Sequence, residues 1–81
     1  MAEPPQFDTT GPTHIYVQVA DWIAGRVERG ELQPGHKLPA ERDLAAEIGV
    51  SYMTVRRAMR LLRERGLIVS AVGRGTYVAG K

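Results

Sequence analysis

Apolar residues recur at helical spacing in three separate stretches of the chain, and each stretch predicts one helix. The helices are predicted over residues 13–29, 41–48 and 52–65. Thr13 and Ser51 are candidate N-caps, because a side-chain oxygen there can accept a hydrogen bond from a free amide of the first turn. A glycine follows each predicted helix and is expected to end it, namely Gly30, Gly49 and Gly66.

The same apolar positions define the expected core. The stripe of the first helix is Ile15, Val19, Trp22, Ile23 and Val27. The inward positions of the second helix are Leu44, Ala45 and Ile48. The stripe of the third helix is Val55, Ala58, Met59 and Leu62. We expect Trp22 to be the large core anchor, and Leu38 to point inward from the connection between the first two helices.

The C-terminal part of the chain predicts a β-hairpin. Residues 67–69 and 76–78 favour strands, and Gly73, Arg74 and Gly75 supply the turn between them. A lone hairpin is marginal in water, so it is expected to pack on the helices through Leu67 and Val78.

Three helices followed by a hairpin predict a mainly α protein with a small β-hairpin, arranged as a winged helix-turn-helix. The short connection at residues 49–51 carries this interpretation. Ala45 is small enough for close helix approach, Gly49 permits the sharp turn, and Val55 packs the third helix back onto the second. Residues 1–12 have three prolines and no apolar period, so they predict a flexible tail ahead of a domain over residues 13–81.

Charge separates the two halves of the chain. Residues 1–50 carry four basic and eight acidic residues, whereas residues 51–81 carry seven basic residues and one acidic residue. At about 100° per residue, Arg56, Arg57 and Arg60 lie opposite the apolar stripe of the third helix. This asymmetry indicates a polyanionic partner, with a solvated basic face as the alternative.

A helix fits the DNA major groove, and the residues at its N-terminus can reach base edges. Arg56 is the best candidate for a base contact, because arginine can bridge guanine O6 and N7. The other candidates of the third helix contact bases or phosphates in this interpretation, namely Tyr52, Thr54, Arg57 and Arg60. Arg74 could enter a minor groove, the alternative being a simple turn.

Residues 15–79 resemble the DNA-binding domain of GntR-family bacterial transcription regulators. The matching pieces are residues 30–35, 38–45, 50–51, 54–56, 58–59, 62, 66–68 and 73–78. The resemblance implies that Arg42 contacts DNA, that Ser51, Thr54 and Arg56 belong to the recognition surface, and that Gly75 lets the wing approach phosphate. It also implies dimers acting on short imperfect palindromes, commonly as repressors.

Three residues depart from the family pattern: Ala40 stands where a serine is usual, Tyr52 where a basic residue is common, and Met53 where a polar one is. The operator therefore cannot be inferred from relatives. The chain ends at Lys81, without the effector domain that usually follows the wing. We expect a stand-alone regulator with no small-molecule effector site, the alternative being the excised DNA-binding domain of a longer ligand-responsive regulator.

Enzyme activity is not predicted, because His14 and His36 stand apart and no metal-ligand or phosphate-loop motif is present. We expect no catalytic residue, metal or cofactor. The absence of cysteine, of a long apolar run and of a signal-peptide pattern favours a cytoplasmic, nucleoid-associated protein. The favoured function is sequence-specific binding of double-stranded DNA, with a homodimer as one arrangement. The alternative class is a winged helix that binds a partner protein through Tyr52 and Met53.

Overall fold

The computed structural model describes residues 6–11 and 13–80. Its elements are α1 (Ile15–Glu28), α2 (Glu41–Ile48), α3 (Tyr52–Glu64), β1 (Ile68–Ala71) and β2 (Gly75–Val78). Three helices followed by an antiparallel hairpin confirm the predicted winged helix-turn-helix architecture.

Of the three helices, α3 begins with a side-chain cap, whereas α1 and α2 begin without one. The second helix has the predicted bounds, and the Ser51 side chain caps α3 as expected. The prediction of Thr13 as a cap was wrong: His14 precedes α1 and makes no side-chain capping bond. The first helix is therefore shorter than predicted at both ends, and α3 ends at Glu64, one residue early.

The core lies where the three helices meet the hairpin. The largest fully buried side chains are Leu44, Met59, Leu62, Ile68, Val19 and Val55. Leu38 is buried from the α1–α2 connection, as predicted. The expectation for Trp22 was wrong, because this residue is half-buried and packs against the core from outside it.

The hairpin pairs Ile68 with Val78 and Ala71 with Gly75 across its two strands. Ile68 and Val78 bury their side chains in the core, whereas the predicted contact Leu67 is half-buried. β1 starts one residue later and ends two residues later than predicted, β2 starts one residue earlier, and the turn itself spans residues 72–74. The reason is that Ala71 and Gly75 still pair, so the reversal is tighter than the glycine pattern indicated.

The α1–α2 connection runs beside β2 and is bonded to it. The amides of Gly35 and Leu38 donate to the carbonyls of Val78 (3.0 Å) and Thr76 (2.8 Å), and the amide of Val78 donates to His36 (2.8 Å). These backbone bonds give the hairpin a third extended partner. The wing is thereby fixed to the segment that leads into α2.

The described part of the N-terminal segment contacts the domain. Phe7 packs edge-to-face against Trp22, with ring centroids 6.3 Å apart. The Asp8 carboxylate accepts from the amides of Thr10 (2.8 Å) and Gly11 (3.1 Å), which lowers its pKa. The predicted flexibility of residues 1–12 remains a prediction, because residues 1–5 and 12 lie outside the described residues, as does residue 81.

Candidate nucleic-acid interface

A sharp turn between α2 and α3 places the start of α3 at the surface. Gly49 adopts φ +74°, a left-handed conformation that other residues adopt at a cost. Its amide and that of Val50 both donate to the carbonyl of Ala45, at 3.0 and 3.1 Å. This pair of bonds closes the end of α2, and α3 then leaves at an angle with its first residues uncovered.

Ser51 organises the first turn of α3. Its Oγ accepts from the Thr54 amide at 3.1 Å and lies 2.8 Å from Thr54 Oγ1. The two amides ahead of Thr54 have no partner within the helix, as at any helix N-terminus. This end of α3 therefore favours a negatively charged group.

The arginines of α3 lie opposite its buried stripe, as the sequence predicted. Arg56, Arg57 and Arg60 are exposed, whereas Val55 and Ala58 are fully buried. The three arginines do not form one patch, however. Arg57 and Arg60 line a shallow groove on the side facing α1. The other residues that line this groove are Tyr16, Leu61 and Glu64.

Arg56 belongs to a different cluster, which joins α2 to α3. The Arg42 guanidinium lies over the Tyr52 ring, 4.1 Å from its centroid, and the Arg56 guanidinium lies 5.8 Å from the same centroid. Sequence reasoning proposed all three residues as contacts but did not predict that they touch. The structure brings them together at the junction of the two helices.

Arg74 occupies the turn of the wing. Its amide donates to Ala71 (3.0 Å), and the Tyr77 hydroxyl donates to its carbonyl (3.3 Å), while its side chain is exposed. Val72 beside it is fully exposed, at 102% of its reference area. The tip therefore presents one cation and one apolar side chain.

Lys37 is a cation of this region that sequence reasoning missed. Gly75 has φ +119°, and a Cβ built on it would lie 2.9 Å from Lys37 Cε. The lysine side chain therefore lies against Gly75, at the position where the sequence predicted that the wing could approach a phosphate. Nothing in the loop sequence marks this contact, since it depends on the pairing of Lys37 with Tyr77.

The arginines of the molecule fall into two groups. The first group, which we call the paired arginines, is bound to polar side chains: Arg26, Arg29, Arg63 and Arg65. The second group, the open arginines, has no carboxylate within 4.0 Å among the described residues: Arg42, Arg56, Arg57, Arg60 and Arg74. Every arginine proposed from the sequence as a DNA contact is an open arginine.

The shortest of these ion pairs joins Arg29 Nε to Glu31 Oε2 at 2.6 Å. Together with the charge of Arg26, this bond lowers the pKa of the Glu31 carboxyl. Arg65 reaches across to Asp21 of α1, 2.9 Å away. The acidic residues that hold the paired arginines therefore stand on α1 and just after it.

Other kinds of site are not evident in the part of the chain that the structure describes. No group of three His, Asp or Glu side chains there is placed to hold a metal ion. The helices of that part are also too short and too polar to cross a membrane.

The three helices, the hairpin and the exposed first turn of α3 define the class of protein, a winged helix-turn-helix. Residues 15–78 match the family model described as bacterial regulatory proteins, gntR family. The chain belongs to this GntR family.

Curated relatives with similar sequences include two named repressors. The chain is 48% identical over 68 residues to the mannosyl-D-glycerate transport/metabolism system repressor MngR of Escherichia coli K12. It is 43% identical over 68 residues to the HTH-type transcriptional repressor NagR of Bacillus subtilis. Each match covers 84% of this chain and 28% of the relative, so the chain spans less than a third of either protein.

Solved structures show the same fold. YtrA from Sulfolobus acidocaldarius, a GntR-family transcription factor, matches 94% of the chain and 80% of its own length, with a TM-score of 0.86 and 39% identity. The AraR DNA-binding domain, solved in complex with operator ORX1, matches 98% of the chain and 100% of its own length, with a TM-score of 0.80 and 33% identity.

Proposed function

We propose that this chain is the DNA-binding unit of a bacterial transcription regulator and that it binds a specific double-stranded operator, in most contexts to repress. The observation that carries the proposal is the group of open arginines, which lie at the start of α2, along the exposed face of α3 and at the turn of the wing. Family membership supports it, as does the structural match to a domain that was solved with its operator.

In the proposed complex, the first turn of α3 enters the major groove. Arg56 reads a base edge, and Tyr52 and Thr54 lie on the same exposed end of the helix. Ser51 supports this end through its cap and stands beside the uncapped amides, where a phosphate fits.

The remaining cations flank that contact. Arg42 approaches from the start of α2, and Arg57 and Arg60 bind phosphates farther along α3. Arg74 reaches a minor groove from the wing tip, where a narrow groove attracts guanidinium. Gly75 and Lys37 shape the wing behind it, and Lys37 adds a further positive charge.

The assembly of the complex is also part of the proposal. We propose that two copies occupy a short palindromic site in the cytoplasm, within the nucleoid. The relatives MngR and NagR are much longer than this chain, so the dimer contacts and any effector response of a longer protein are not attributed to it. No small-molecule effector is assigned to the described residues.

Selection of bound duplexes from a random pool, at two salt concentrations, tests the proposal. We expect a defined sequence to be enriched, with half-sites about 10 base pairs apart if two copies bind. If the complex neutralises six or more phosphates, affinity should fall by about 10³-fold or more between 50 and 200 mM salt. Failure to retain any duplex at low salt would contradict the proposal.

A winged helix that binds a protein is the second candidate, because the same face exposes apolar side chains. Met53 is 55% exposed at the start of α3, and Val72 is fully exposed on the wing. A protein partner would give a much weaker salt dependence than a duplex does. Retention of a protein at 200 mM salt, with no duplex retained at 50 mM, would favour this second function.

A further inference from the structure

Tyr52 lies between two arginines that come from different helices. The Arg42 guanidinium of α2 is 4.1 Å from the ring centroid, and the Arg56 guanidinium, one helical turn after Tyr52 on α3, is 5.8 Å away. Both distances fall within the range of about 6 Å over which a cation is attracted to the face of an aromatic ring. The ring therefore lies within cation–π range of both guanidinium groups, and Arg42 is the closer.

We propose that Tyr52 is a positioning residue, whose ring fixes the guanidinium of Arg42, and to a smaller extent that of Arg56, in the orientation that meets DNA. This inference rests on the proposed function and deepens it. The candidate role derived from the sequence was a direct contact between Tyr52 and DNA. In the present assignment, Tyr52 acts through the two arginines instead.

An aromatic ring suits this role better than a carboxylate does. A carboxylate would occupy the N–H donors of the guanidinium, and those donors are what binds a phosphate or a guanine. A ring holds the guanidinium through its flat face and leaves all five N–H groups at the edge free. Among the described residues, no carboxylate lies within 4.0 Å of Arg42 or Arg56, so their donors are not taken up by ion pairs.

The stack also reduces the entropic cost of binding. A free arginine side chain loses rotamer freedom when it binds, whereas one that is already held loses less. Arg42 is held more firmly than Arg56, because 4.1 Å is a stacking distance and 5.8 Å is near the limit of the interaction. The Tyr52 side chain thereby connects the start of α2 to α3.

Two substitutions distinguish positioning from direct contact. Tyr52→Phe keeps the ring and removes the hydroxyl, whereas Tyr52→Leu removes the ring and keeps a good helix former. On the duplex selected with the unmodified chain, we expect Tyr52→Leu to weaken binding about 3- to 30-fold, the range of cation–π energies converted to affinity. Tyr52→Phe should bind within about twofold of the unmodified chain, because the ring remains.

A double-mutant cycle then tests the coupling to Arg42. Arg42→Ala should weaken binding less in the Tyr52→Leu background than in the unmodified chain, since the stack is already lost. Arg60→Ala is the matched control: it removes an open arginine that does not touch the ring, so its cost should be equal in both backgrounds.

Nuclear magnetic resonance of the DNA-free chain supplies a readout that does not depend on the operator. Protons of the Arg42 side chain should be shifted upfield by the ring in the unmodified chain and in Tyr52→Phe, and should lose that shift in Tyr52→Leu. The same spectra establish that each variant is folded.

The possible failures are distinguishable. Equal loss of affinity in Tyr52→Phe and Tyr52→Leu, an additive cycle, or an absent upfield shift would overturn this inference alone. An unmodified chain that shows the shift but selects no duplex would overturn the proposed function, and with it the DNA-binding role of the stack.

Discussion

The two groups of arginines occupy different regions and have different surroundings. The paired arginines are bound to Glu31, Asp21 or Ser70, and these contacts tie α1 to the loop after it, α3 to α1, and α3 to β1. The open arginines lie at the start of α2, along α3 and on the wing tip, where the described structure offers them no carboxylate.

The paired arginines use their charge in contacts within the fold, whereas the charge of the open arginines is available to a binding partner. Exposed ion pairs contribute about 0–1 kcal/mol each, so the paired arginines stabilise the domain only slightly. The open arginines have no carboxylate partner within the fold, although Arg42 and Arg56 lie near the Tyr52 ring. Under the proposed function, these charges are available to a ligand that carries negative charge.

Removing one arginine from each group tests this difference most directly. Arg56→Ala should cost about 1–3 kcal/mol of binding free energy on the selected duplex and relax specificity at the base it reads. Arg65→Ala, the control from the paired group, should leave binding unchanged. Fluorescence anisotropy titration with matched and mismatched duplexes measures both. Equal losses on every duplex would give Arg56 a phosphate role.

A substitution in the wing tests whether backbone strain or a side-chain contact determines the stability cost of a Cβ at position 75. Gly75→Ala places a Cβ at φ +119° and 2.9 Å from Lys37 Cε, and should lower the free energy of unfolding by about 1–2 kcal/mol. Denaturant unfolding measures it. The lysine end can swing away, so the double variant with Lys37→Ala should stay equally unstable. Full recovery in that double variant would show that the contact dominates, contrary to expectation.

Two substitutions of Ser51, at the start of α3, distinguish its effect on stability from its effect on duplex binding. Ser51→Ala removes the cap of Thr54 and should cost about 1 kcal/mol of stability. Ser51→Asp retains a capping oxygen, so its melting temperature should stay near that of the unmodified chain, yet its added charge should weaken duplex binding. If Ser51→Asp bound as well as the unmodified chain, no phosphate would lie near this helix end.

The smallest expected effect concerns pH and the paired group. Because Arg29 and Arg26 lower the pKa of Glu31 in the folded chain, this carboxylate stabilises the fold above the pKa it has when unfolded. That contribution is lost as pH falls through the lower, folded value, on the acid side of about 4.3. Comparing Glu31→Gln with the unmodified chain in thermal melts at pH 7 and pH 3 should show a larger difference at pH 7 than at pH 3. A difference of equal size at both pH values would contradict this linkage.

The helices, the hairpin and the exposed arginine face of α3 were predictable from the sequence, because local apolar spacing determines which side of a helix is buried. The bounds of α2 and the Ser51 cap also follow from local chemistry. The partial exposure of Trp22 and its contact with Phe7 result from tertiary packing, which local spacing does not encode. The stack of Arg42 on Tyr52 and the crossing of Lys37 over Gly75 join separate elements, so residue spacing could not reveal them.

The bonds between residues 35–38 and β2 have a mechanical consequence. Only Pro39 and Ala40 separate this bonded segment from α2, so we expect a tilt of the hairpin to be transmitted to the start of that helix. The wing tip and Arg42 are therefore expected to move together, at a constant distance from each other. A duplex gripped at both points would have to adjust its own groove spacing to the protein, which favours sequences that bend easily.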